Sequence, residues 1–147
     1  MNNKEFKTVF AQTAKSYGFK SAFGNWYKES SECIAILELQ KSNFADCYYL
    51  NIKTFIQGLF ELKYAPSKEV VKSSMGHITN QIRDLDVFNL DKSMDDTIRN
   101  EQLNKYFENY IVPYTNKILS KYVIKEMAKK GEITLLPAVK VQLSYNN

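Results

Sequence analysis

Between Lys20 and Ile56 the apolar residues change to a period of two, and this limits the fold more than any other feature of the chain. Three such stretches run from Phe23 to Glu29, from Cys33 to Ser42 and from Cys47 to Ile56. Only Ser30-Ser31-Glu32 and the segment Asn43 to Asp46 separate them. Period two marks strands, and β-branched and aromatic residues crowd the third stretch. A parallel pair needs a crossover of about a dozen residues, so connections this short make antiparallel neighbours. If Asn43 to Asp46 is the turn, facing positions sum to 89, which sets Gln40 opposite Tyr49 and Glu38 opposite Asn51.

The strand faces are unequal. In the third stretch Tyr48, Leu50, Ile52 and Ile56 share one face, while Tyr49, Asn51, Lys53 and Phe55 share the other. In the second, Cys33, Ala35, Leu37 and Leu39 oppose Ile34, Ile36, Glu38 and Gln40. Both sides are more apolar than a solvated face requires. The pattern predicts a helix over one face and something else partly covering the other.

Helical spacing precedes and follows these strands. Phe6, Val9, Phe10, Ala14 and Tyr17 form an amphipathic stripe over residues 3–17, with Asn2 and Glu5 as a capping box and Gly18 as the stop. After a connection marked by Gly58, Pro66 and Ser67-Lys68-Glu69, Gly76 leads into His77 to Arg83, a fourth strand. Asp84 to Asp96 is acidic and irregular. From Met94 the pattern is helical again, through Ile98, Leu103, Phe107, Tyr110 and Ile111, until Pro113 breaks or restarts it. A further helix runs to Lys130, with Ser120 as an alternative cap and Gly131 as its stop. Ile133 to Tyr145 alternates too briefly to assign. The expected fold is α+β: an N-terminal helix, a mostly antiparallel sheet of about four strands, and C-terminal helices packed on the sheet. No linker or repeat divides residues 1–147, which read as one domain.

Composition removes several functions. The 147 residues include 14% aromatics, which argues against disorder, but only one histidine and two cysteines. Cys33, Cys47 and His77 lack any zinc-finger spacing, and the five glycines form no phosphate loop. No metal, cofactor or catalytic constellation is expected, and any histidine-dependent nucleophile would have to rely on His77. The N-terminus lacks an apolar run, and no stretch approaches the roughly 18 apolar residues of a membrane span. A cytoplasmic protein with reduced thiols is expected, with no membrane partner. The net charge of +4 is modest for nucleic acid, and eighteen of the twenty basic residues are lysine, which lacks the bidentate fork of arginine. Residues 1–31 and 101–147 each carry +3 and residues 32–100 carry −2, so the basic excess lies outside the strands.

Gly24-Asn25-Trp26-Tyr27, Leu39-Gln40-Lys41-Ser42-Asn43-Phe44 and Tyr48-Tyr49-Leu50-Asn51-Ile52 together resemble a bacterial family known as domain of unknown function 4304. That family pairs a Gly-Asn-aromatic-Tyr strand with a Leu-Gln-Lys-Ser-x-aromatic strand end and a Tyr-Tyr-x-Asn-Ile strand. Gly76-His77-Ile78 with Arg83 fits a fourth element more loosely. The similarity extends over roughly residues 1–130 and does not cover 84–100 or the tail. It implies an α+β fold and carries no catalytic residues with it.

The candidate binding residues are Asn25, Trp26, Glu38, Gln40, Ser42, Tyr49, Asn51, His77 and Arg83. Glu38, Gln40 and Asn51 fall together on one sheet face. Their paired donors and acceptors suit a peptide backbone or a small polar ligand, or else they satisfy one another and the adjacent turn. Lys117, Lys121, Lys125 and Lys129 recur every four residues and make a stripe if the helix is unbroken. Such a stripe is either a solvated face or a contact for an acidic partner. The leading expectation is a non-enzymatic module that binds another protein, of the immunity or antitoxin kind by analogy with other small α+β domains. The alternatives are an enzyme using Glu38, Lys53 and Tyr49 without histidine or metal, and a weak nucleic-acid binder acting through the lysine stripe. Oligomeric state is left open.

Overall fold

The computed structural model describes residues 1–145; the last two residues of the tail, Asn146 and Asn147, lie outside the described residues. Helix α1 (Asn3–Ser16) opens with the expected capping box. The Glu5 N–H donates to the Asn2 side chain at 2.8 Å, and the Asn2 N–H donates to the Glu5 carboxylate at 3.2 Å. These bonds satisfy two of the amides that a helix start leaves unpaired.

Five strands follow: β1 (Lys20–Ala22), β2 (Asn25–Glu29), β3 (Cys33–Lys41), β4 (Tyr48–Ile56) and β5 (Ile78–Ile82). They form one antiparallel meander in the order β1-β2-β3-β4-β5. The β3–β4 register sets Gln40 against Tyr49 and Glu38 against Asn51, as the turn predicted. The first stretch differs from expectation. Phe23 is not a strand residue; with Gly24 it forms a two-residue turn, at φ 50° and 81°, that joins β1 to β2. Two consecutive positive φ values suit the tight hairpin turn, and Gly24 supplies one of them without steric cost.

The inner face of the sheet carries the main core. Phe6 stacks on Tyr48 with ring centroids 5.5 Å apart, and Phe10 lies 4.8 Å from Trp26 and 5.2 Å from Phe107. A second cluster joins Cys33, Ala35, Ile56 and Ile78 to Ile118, Ile124, Val139 and Leu143 of the C-terminal helices. Fully burying side chains of this size contributes roughly 1.5–3 kcal/mol each.

Those helices are α3 (Asp96–Tyr106), α4 (Val112–Ile118), α5 (Lys121–Lys129) and α6 (Pro137–Tyr145). A five-residue π-turn, Phe107–Ile111, joins α3 to α4, so Pro113 restarts the helix without ending it. The wider turn accommodates a residue that has no N–H and whose ring crowds the carbonyl four positions back. Ser120 caps α5, and the unassigned tail is helical over α6. Arg99 is 3% exposed and donates to the carbonyls of Asp86, Val87, Asn89 and Lys92, which fixes the irregular segment before α3. Among the described residues no helix is long and apolar enough to cross a membrane.

Residues 57–76 form a strap over half of the outer face. It includes α2 (Lys68–Val71) and lays Tyr64 and Val71 on Ile34, Ile36 and Phe55. The other half of that face, towards Tyr49 and Arg83, lies beyond the strap's apolar cluster.

Candidate functional site

On the outer face a chain of polar side chains crosses four strands. At its buried end, Lys53 on β4 is 0% exposed. Its ammonium donates to Glu38 Oε2 at 3.2 Å, to the Val71 carbonyl at 3.0 Å and to the Ser73 carbonyl at 2.7 Å. An ammonium has three protons, and each has an acceptor here. Asn25 on β2 reaches two of these three partners: its Nδ2 donates to the Val71 carbonyl at 3.1 Å and faces Glu38 Oε2 at 3.5 Å. These bonds tie the strap to the sheet.

From Glu38 the chain runs outwards. Asn51 Nδ2 donates to Glu38 Oε1 at 3.0 Å and to Gln40 Oε1 at 2.9 Å. Gln81 Nε2 on β5 donates to Gln40 Oε1 at 3.0 Å and to Asn51 Oδ1 at 2.9 Å. Arg83 Nε donates to Gln81 Oε1 at 2.6 Å, and its guanidinium lies 4.6 Å from the centroid of the Tyr49 ring. Burial alone would raise the Glu38 carboxyl. Hydrogen bonds from Asn51, Lys53 and Asn25 and the Lys53 charge outweigh it, and hold the group below its ordinary range.

The structure brings together Asn25, Glu38, Gln40, Tyr49, Asn51 and Arg83 of the expected residues. Trp26 does not join them. Alternation places it on the inner face, packed on Phe10. Ser42 closes the β3–β4 connection: its Oγ accepts from the Phe44 N–H at 3.1 Å and its own N–H donates to the Cys47 carbonyl. His77 lies at the strap-covered end. Its Nδ1 accepts the Ile56 N–H at 2.9 Å and its Nε2 lies 3.1 Å from the Tyr64 hydroxyl. That hydroxyl donates to the Leu59 carbonyl at 2.9 Å, so the neutral ring carries its proton on Nε2. Burial pushes the imidazole down to about 4.

Sequence reasoning missed Lys53 and Gln81 as members of the binding set. Gln81 is legible in the sequence, because Thr79, Gln81 and Arg83 alternate as a polar side of the expected His77 to Arg83 strand, of which β5 contains Thr79 and Gln81. Lys53, offered only as an enzymatic candidate, has its protons committed to Glu38 and two carbonyls, and so makes a poor base or nucleophile. The lysine stripe is interrupted: Lys117 belongs to α4, while Lys121, Lys125 and Lys129 belong to α5, with the bend at Leu119 and Ser120 between them. Lys129 pairs with Glu126 at 3.4 Å. Among the described residues no group of three or more His, Cys, Asp or Glu is placed to hold a metal ion. Cys33 and Cys47 are free thiols, and burial pushes Cys33 up to about 12.

No curated protein sequence and no solved structure matches this chain. The model of one family, described as Domain of unknown function (DUF4304), matches residues 10–117, which include all five strands, the strap and the whole polar chain from Asn25 to Arg83. The chain belongs to the DUF4304 family.

Proposed function

We propose that this chain is a non-enzymatic protein-binding module whose working surface is the uncovered half of the outer sheet face, centred on Arg83 and Tyr49. One observation carries the reading: Arg83 is exposed yet already oriented. Its Nε is anchored on Gln81, its plane lies over Tyr49, and among the described residues it makes no ion pair. Ordering a free arginine at an interface costs about 0.5–1.5 kcal/mol, and a guanidinium held in advance avoids most of that. Arginine and tyrosine are also the side chains most often dominant in interfaces. The partner chemistry that fits is a carboxylate meeting the guanidinium, bordered by apolar atoms that cover Tyr49. The narrower form, an immunity or antitoxin-like protein that caps a bacterial toxin, rests on analogy with other small α+β domains.

Affinity capture from the native host, repeated with Arg83→Ala and Tyr49→Ala, tests the reading. A specific protein retained by the parent chain and lost with both variants is the expected result, with thermal midpoints unchanged. Retention that is indifferent to both substitutions overturns it.

A further inference from the structure

On the other side of the sheet, a groove of about 570 Å³ runs between the C-terminal half of α1 and β1. This is within the range of about 300–1,000 Å³ common for ligand sites. Its apolar floor is Ala11, Phe19 and Trp26, and Lys15 and Lys20 stand at its margins. Lys28 extends the positive side, with its ammonium 4.4 Å from the Phe19 ring centroid. Among the described residues no carboxylate pairs with Lys15, Lys20 or Lys28. Glu29, which lines the adjoining hollow with Lys20 and Lys28, makes no ion pair among the described residues either.

The groove also follows an open strand edge. Among the described residues β1 ends the sheet and pairs only with β2, so the outer edge of Lys20–Ala22 has no described strand beside it. An extended segment can add to such an edge through main-chain hydrogen bonds, with alternate side chains directed to the floor. We infer that this groove binds an extended acidic peptide segment, with one apolar side chain on Trp26 and Phe19 and carboxylates beside Lys15, Lys20 and Lys28. The inference is independent of the Arg83 face, because β1 and β5 lie at opposite ends of the strand order. Three cations with no acid paired to them select an anionic ligand. The apolar floor requires an anchor as well, and the strand edge favours a peptide over a small anionic amphiphile.

Trp26 is the chain's one tryptophan and lines the groove, so its emission reports occupancy without a label. The probe is a blocked nonapeptide of Glu and Asp with a central Phe, titrated into the full chain at low salt. A saturable change in Trp26 emission is expected. Lys15→Glu combined with Lys20→Glu, at two exposed positions, weakens it by about tenfold or more. Replacing the central Phe by Ser weakens it similarly, whereas Arg83→Ala leaves it unchanged and so separates this site from the proposed binding face. The inference is overturned by an emission that does not respond, by an affinity indifferent to the charge reversal, or by saturation with decanoate alone and not with the peptide.

Discussion

Lys53 and Glu38 form an ion pair at 3.2 Å in which the lysine is wholly buried and the carboxylate is 23% exposed. The remaining lysine protons reach the carbonyls of Val71 and Ser73, so one side chain joins sheet, strap and the outward amide chain. Lys53→Met removes the cation and leaves Glu38 and the Ser73 carbonyl without a partner they had. Breaking a buried pair from one side costs about 3–5 kcal/mol, and the partial exposure of Glu38 places this variant near the lower end. Urea unfolding is expected to show a loss of about 3 kcal/mol, with faster amide exchange over residues 68–73. Lys53→Met with Glu38→Gln is expected to recover part of the loss, because no unpaired charge remains. A loss below about 1 kcal/mol for the single variant would contradict the structural role given to the pair.

Gly76 and Thr54 show a different constraint. A Cβ added at Gly76 would lie 2.7 Å from the Thr54 carbonyl oxygen and 2.8 Å from its nitrogen, both main-chain atoms that cannot swing aside. The strap therefore meets β4 through a position where only glycine fits. Gly76→Ala is expected to cost roughly 1–3 kcal/mol by overpacking. Gly24, where an added Cβ meets nothing within 4 Å, separates space from backbone conformation, since its φ of +81° strains any L side chain. Thermal unfolding of Gly76→Ala and Gly24→Ala measures both. If Gly76→Ala unfolds at the parent temperature, the close approach is wrong.

The parts of this fold that were legible in the sequence are those set by near neighbours. The Asn2 and Glu5 box needs only its own first turn. The pairing of Gln40 with Tyr49 follows from the length of one connection. What escaped depends on distant groups or on too few residues. β1 is three residues long, too short for a period to show, and Phe-Gly is not the usual sequence of a two-residue hairpin turn. Two of the three partners of Lys53 are carbonyls eighteen and twenty residues away, on a strap with no pattern of its own. Trp26 and Asn25 adjoin in the Gly-Asn-Trp-Tyr segment, yet successive strand residues point to opposite faces. Arg83 stands among the expected residues, but its orientation depends on Gln81, two residues earlier in β5, which is held by Gln40 of β3 and Asn51 of β4.

The link between His77 and the strap gives a pH dependence with a defined sign. Burial holds the imidazole neutral in the folded chain, at about 4 against an ordinary 6.5, with Nδ1 accepting the Ile56 N–H. The unfolded chain therefore binds more protons between those two values, and stability falls as the pH falls through that window. Above about 6.5 the contribution is fully present. Carboxylates with lowered values, Glu38 among them, add loss in the same direction at lower pH. His77→Asn isolates the imidazole, since an amide oxygen near the Nδ1 position still accepts the Ile56 N–H but does not titrate. Urea unfolding from pH 7.5 to pH 4.5 is expected to show a steeper decline for the parent chain than for His77→Asn. Parallel declines would mean that His77 does not lose its proton-linked bond on unfolding, and would remove its part in holding the strap end to β4.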